Sequence, residues 1–164
     1  MKIIIAIIIY FLYWGICFLG TGTDRKNLIG LRSYPEEVRS RVQSDPQLGK
    51  AVPKAKSTAA VLLSNLLLFT VLFSVLGLAL KSVLSLDGYL SAFWYFLAFG
   101  EGLGLFDLLV IDLLWWRNSK RIRFSFLPEK EYYRNPKKHI ESFLCGIPLF
   151  AAVAALTALI VTVL

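Results

Sequence analysis

The chain has only one histidine, two cysteines and one methionine in 164 residues. A single histidine excludes paired-histidine haem ligation within one chain, and with it the histidine-rich sites of membrane oxidases. Two cysteines are too few for a disulfide framework. Cys17 and Cys145 both fall near helix ends predicted to face the reducing side, so no structural disulfide is expected. No internal repeat is visible, which argues against an inverted-repeat transporter built within one chain. The cluster Gly100-Glu101-Gly102-Leu103-Gly104 is not a phosphate loop, because it lacks the strand-to-helix setting and the Lys-Ser/Thr pair. No cofactor is expected from such a sequence.

What it has in excess is uninterrupted apolar length. Hydrophobic residues make up 57% of the chain and the mean hydropathy is +0.64, more than one soluble core requires. They gather in four blocks, Ile3 to Gly20, Thr58 to Leu80, Tyr89 to Trp116 and Ile140 to Leu164. A hydrocarbon layer of about 30 Å takes about 20 helical residues to cross. Lipid offers no partner to exposed backbone N–H and C=O groups, and the blocks lack strand-like alternation, so they are predicted to be helices. The expected fold is all-α: a single transmembrane domain over residues 1–164, a four-helix bundle with helices near 3–20, 58–80, 89–116 and 140–164.

Charge distribution orients it. The net charge is +7, and of 18 Lys and Arg, eight lie between Arg25 and Lys56 and eight between Arg117 and Lys138. Cations concentrated in alternate loops mark those loops, about 21–57 and 117–139, as cytoplasmic and place both termini outside. Anionic lipid headgroups are the expected partners of these loops, and nucleic acid is not. The first block is expected to stay attached rather than be cleaved as a signal peptide, since cleavage would release the most basic loop outward. Trp14, Gly15 and Ile16 are not the small-residue approach to a lipidated Cys17.

In the first loop, Pro35, Glu36 and Glu37 start a short helix of about Pro35 to Ser44, stopped by Asp45-Pro46. Glu37 and Arg41 pair at i,i+4 on it, and it is expected to lie on the membrane surface. In the second loop, Arg121 to Phe126 alternates charged and apolar residues and is expected to skim the headgroups in an extended form. One helical turn is predicted over Glu129 to Arg134. A short turn at Leu86-Asp87-Gly88 makes the second and third spans an antiparallel pair. Ala151 with Ala155, and Ala154 with Ala158, allow close helix approach on the last span, where Pro148 is expected to introduce a kink.

Charged residues inside a span are costly and ask for a partner. The third block carries Glu101, Asp107 and Asp112. With about 1.5 Å per residue, Asp107 lies roughly 14 Å from the cytoplasmic end and Asn65 of the second block roughly 11 Å in. A buried polar pair of Asp107 and Asn65 is therefore expected, serving either to load a proton or cation or to lock two helices. Asp112 is expected to reach Arg117, Arg121 or water. The glycines around Glu101 are expected to kink or open the helix.

Cys17, Asp112, His139, Glu141 and Cys145 fall at similar depth near the cytoplasmic rim. Asp112, His139 and Glu141 are the candidate catalytic groups. The spacing of the set matches no metal motif, so no metal ligand is assigned.

Three stretches, Gly30 to Val38, Phe106 to Asp112 and Glu129 to Gly146, resemble those of small bacterial four-span integral membrane proteins to which no activity is assigned. The resemblance implies a bacterial inner-membrane home and transfers no functional residue. The leading expectation is a multi-pass membrane component related to transport or accessory to it, acting as a homo-oligomer or with a partner subunit. One alternative is a membrane-embedded enzyme for lipid or lipid-linked substrates at the cytoplasmic rim. The other is a scaffold that binds anionic lipid.

Overall fold

The computed structural model describes residues 1–164. The chain is all-helical and forms no strand; its one β feature is an isolated bridge between Phe124 and Leu127. The long helices are α1 (Lys2–Leu19), α5 (Thr58–Ala79), α7 (Tyr89–Phe106) and α8 (Lys137–Val163). Between them lie the shorter α2 (Asp24–Ile29), α3 (Glu36–Ser44), α4 (Leu48–Ala51) and α6 (Lys81–Leu84). Three helical runs are long and apolar enough to cross a membrane: Lys2–Leu19, Thr58–Ala79 and the run Lys130–Val163 that contains α8. The expected fourth span, Tyr89 to Trp116, is helical throughout but is not among these three. It carries Glu101 and three nearby glycines, and from Asp107 to Trp115 it changes to a π-helix.

The chain divides into two compact units, one of Met1–Tyr10, Lys56–Leu105 and Leu144–Leu164, the other of Phe11–Ala55 and Phe106–Phe143. The first unit packs aromatic rings against small residues. Phe73 lies 4.9 Å from Phe99, 5.9 Å from Phe96 and 6.2 Å from Phe150, centroid to centroid. Gly77 makes this approach possible, since a Cβ there would meet Phe96 Cζ and Val161 Cγ2 at 2.7 Å. Of the expected alanine pairs, Ala154 and Ala158 are fully buried, whereas Ala151 and Ala155 are only half-buried. α8 runs without interruption through Pro148, which has no N–H to give the turn before it.

The glycines of α7 do not open the helix as expected. α7 stays regular through Phe106, and the glycines provide clearance instead. A Cβ at Gly100 would meet Phe150 Cδ1 at 2.8 Å, and one at Gly102 would collide with the Tyr10 hydroxyl. That hydroxyl donates to the Phe99 carbonyl at 2.8 Å. The turn before α7 is longer than Leu86-Asp87-Gly88 alone: α6 precedes it, and Ser85 (φ 49°) and Gly88 (φ 96°) take left-handed backbone. On the outside of α5, Leu63, Leu67, Val71 and Val75 form an i,i+4 stripe, each more than half exposed. A stripe of this kind suits lipid far better than water.

The second unit contains what the sequence presents as two loops, and here the two segments pack against each other around a shared core. Leu28, Leu31, Tyr34, Val38, Val42, Trp116, Ile122, Phe124, Leu127 and Tyr133 form one buried core. α2 starts where Thr23 Oγ1 accepts from Lys26 N at 3.3 Å. After α2, a 3₁₀ turn at Leu31–Ser33 brings Tyr34 inward, and Pro35 caps α3. Glu37 and Arg41 do pair, at 3.3 Å on the exposed face, but Val38 and Val42 on the opposite face are completely buried. α3 is thus a core helix of a small folded unit. Asp45 Oδ1 then accepts from Gln47 N and Leu48 N at 2.9 and 2.7 Å, starting α4.

Arg121 to Phe126 likewise contributes to this core, with Ile122 and Phe124 fully buried and Ser125 and Phe126 exposed. Buried side chains satisfy its backbone, as a non-regular buried segment requires. The Tyr34 hydroxyl donates to the Ile122 carbonyl at 2.7 Å, and Asn27 Nδ2 donates to the Arg121 carbonyl at 3.0 Å. The Tyr133 hydroxyl accepts from Phe124 N at 3.0 Å and donates to the Leu127 carbonyl at 2.8 Å. Asp24 accepts from both the backbone and the hydroxyl of Ser125. The turn predicted over Glu129 to Arg134 is a 3₁₀ turn, Lys130–Tyr133, and it carries Tyr133 into the core.

Candidate functional site

The π-helix decides where the acidic residues point. On an α-helix, five residues rotate about 500°, which leaves Asp107 and Asp112 about 140° apart. A π-helix bonds i to i+5, as the Trp116 N–H does to the Ile111 carbonyl, and so brings residues five apart toward one face. Asp107 and Asp112 accordingly line the same cavity, of about 390 Å³, in the second unit. Tyr13 and Cys17, four apart on α1, and His139 in the first turns of α8 line it too.

His139 is the most buried of these groups, with 4% exposure, and its Nδ1 lies 2.8 Å from Asp112 Oδ2. The Trp116 ring packs edge-on against the imidazole at 4.7 Å. Nε2 has no hydrogen-bond partner although it is buried. A neutral imidazole that donates Nδ1–H to the carboxylate keeps its lone pair on Nε2. Two lysines border the cavity, and both are engaged: Lys26 Nζ donates to the Leu19 carbonyl at 2.8 Å and Lys138 Nζ to Glu141 Oε2 at 3.0 Å.

Of the rim residues singled out from the sequence, Cys17, Asp112 and His139 share this cavity. Glu141 pairs with Lys138 instead and does not line it. Cys145 is exposed, in the first unit, and both cysteines are free. Asp112 pairs with His139 rather than with Arg117 or Arg121. Arg121 donates to the Phe18 and Thr21 carbonyls at 3.2 and 3.0 Å, with its guanidinium 3.9 Å above the Phe18 ring. Asp107 belongs to the second unit and Asn65 to the first, and the acidic and basic neighbours of Asp107 within its own unit are Asp112 and His139. Glu101, also in the first unit, is half-buried with one carboxylate oxygen unpartnered. No three His, Cys, Asp or Glu side chains converge as a metal-binding group.

The residues that sequence reasoning missed are Tyr13, Lys26, Lys138 and Ser142. Tyr13 and Cys17 at i,i+4 were the one available signal, since that spacing puts both on one helical face. Near the core, burial raises the Tyr34 phenol well above the ordinary tyrosine range, with smaller contributions from Tyr133 and Asp24.

These features define a helical protein with three helices able to cross a membrane. Comparison with protein-family models, curated proteins and solved structures gives no match.

Proposed function

We propose that the chain is a multi-pass membrane protein with an acid–base site for a lipid or lipid-linked substrate at the cytoplasmic rim. The single observation that supports this is the His139–Asp112 pair. An imidazole that lines a cavity is oriented through Nδ1 by a carboxylate, and its other nitrogen is buried without a partner. In that arrangement Nε2 takes a proton from a substrate hydroxyl or water, while Asp112 holds the ring and stabilises the imidazolium. Asp112 is thus a positioning residue and His139 the base. Asp107 and the Tyr13 hydroxyl supply further polar contacts in the cavity.

In this reading Tyr89 to Trp116 is a fourth span, both termini lie outside, and the home is a bacterial inner membrane. Basic residues of the folded second unit then face anionic headgroups on the cytoplasmic side. A second reading, proton passage linked to transport by a homo-oligomer or with a partner subunit, draws on Asp107 lying on the same cavity as the pair.

The test is incubation of the full chain in vesicles of total bacterial polar lipid, with products read by mass spectrometry. The wild type is expected to generate a headgroup-modified species that His139→Gln does not, with Asp112→Asn reduced by about 10²-fold or more. Identical lipid profiles for wild type and His139→Gln would remove the enzymatic reading. Proton flux in the same vesicles that depends on Asp107 would favour the transport reading instead.

A further inference from the structure

A second cleft in the same folded unit, of about 310 Å³, is lined by Leu113, Arg117, Asn118, Lys130 and Arg134. Three of its five lining residues are cations and none is acidic. Glu129 and Glu131 flank Lys130 in the chain, yet neither lines the cleft. None of the three cations forms an ion pair, although Arg39, Arg41 and Lys138 in the same unit do. Arg117 Nε is buried without a partner. Asn118 Nδ2 donates to the Leu114 carbonyl, and the charged donors of the cleft belong to the three cations.

The convergence follows from the core. Arg117 immediately follows Trp116, and Arg134 immediately follows Tyr133. Both aromatic residues are buried in the unit's core, with ring centroids 6.3 Å apart. Each sits on a 3₁₀ turn, Trp116–Asn118 and Lys130–Tyr133, so their contact fixes two cation-bearing turns beside each other. Like charges brought together by a core without carboxylates favour an anion that offsets their repulsion. Guanidinium groups match the paired oxygens of a phosphate, and a lysine adds a point charge.

The geometry points to a phosphate-binding site formed by Arg117, Lys130 and Arg134, separate from the His139 cavity and independent of its function. The phosphate is carried by a lipid headgroup or is free in solution, and the two sources are separable. The full chain in nanodiscs of phosphatidylcholine, with and without phosphatidic acid, is read by native mass spectrometry for retained lipid. Inorganic phosphate is titrated as competitor. Wild type is expected to retain phosphatidic acid, and Arg117→Gln and Arg134→Gln each to lower its affinity about tenfold or more. Arg117→Lys, which keeps the charge and loses the fork, should fall between.

The double variant Lys50→Gln/Lys54→Gln removes twice the charge of either single arginine variant, elsewhere in the unit, and should leave retention unchanged. Displacement by inorganic phosphate assigns the site to the phosphate group itself; retention in its presence assigns it to the lipid. Equal loss in the Lys50/Lys54 control, or undiminished retention in both arginine variants with an unchanged melting profile, would overturn the site.

Discussion

Replacing Tyr133 with phenylalanine removes one oxygen atom and leaves the ring that fills the second unit's core. That oxygen serves two buried backbone groups, accepting from Phe124 N at 3.0 Å and donating to the Leu127 carbonyl at 2.8 Å. Tyr133 itself is fully buried, so water cannot take over either bond without opening the core. Leaving a buried polar group unsatisfied costs about 1–3 kcal/mol, and two such groups therefore cost about 2 kcal/mol at the least. With a factor of ten for every 1.4 kcal/mol, the lower bound is roughly 30-fold in the opening equilibrium. Amide hydrogen exchange in detergent micelles reads this at Phe124, whose N–H loses its acceptor. Exchange should also rise across Val38 and Val42, because a cooperative unit opens as a whole. Tyr132→Phe is the companion control. Tyr132 is only half-buried, and its ring lies under the Arg41 guanidinium at 4.4 Å, a contact that phenylalanine retains. A Tyr133→Phe variant with exchange within threefold of wild type at Phe124 would refute the existence of a packed unit formed by the two basic segments.

Two further outcomes follow from the packing and ionisation described above. Gly77→Ala places a methyl 2.7 Å from Phe96 and Val161 and should destabilise the first unit by about 1–3 kcal/mol. Gly15→Ala meets nothing within 4 Å and should be neutral or slightly stabilising, so thermal melts must separate the two variants in sign or size. Tyr34 prefers its neutral form in the fold, because burial raises its proton affinity above the ordinary value of about 10. Its contribution to stability is complete below that value and falls as pH rises beyond it, since the unfolded chain releases the proton first. Unfolding midpoints measured from pH 8 to 12 should therefore fall above about pH 10, and less steeply in Tyr34→Phe. An identical slope in the variant would discount Tyr34 as the cause.

The long helices were readable because apolar length is a one-dimensional property. α1 and α5 match their expected bounds within a residue or so, and α8 starts three residues early because Asn135-Pro136 forms its entry. The second unit was less readable for a physical reason. Its apolar residues are few in any one window and are interleaved with cations, so each segment alone resembles a solvated linker. Only their combination, Leu28 to Val42 with Trp116 to Tyr133, provides enough surface to bury. Val38 and Val42 at i,i+4 were a visible clue to an inward helical face. The site was partly readable: Asp112 and His139 were named, but α-helical geometry separates Asp107 from Asp112. The π-helix that rejoins them has no sequence signature at this length. The glycines near Glu101 were misread because clearance for a ring on another segment leaves no local trace.

The contact between Tyr34 and Ile122 joins residues 88 positions apart. During synthesis, the segment around Tyr34 therefore leaves the ribosome long before its partner exists. Until Ile122 through Tyr133 emerge, Leu28, Leu31, Val38 and Val42 have no interior to enter. Assembly of this unit is necessarily late and must wait for the intervening hydrophobic segments to be made. A chain released early would display an apolar surface suited to capture by chaperones or to degradation.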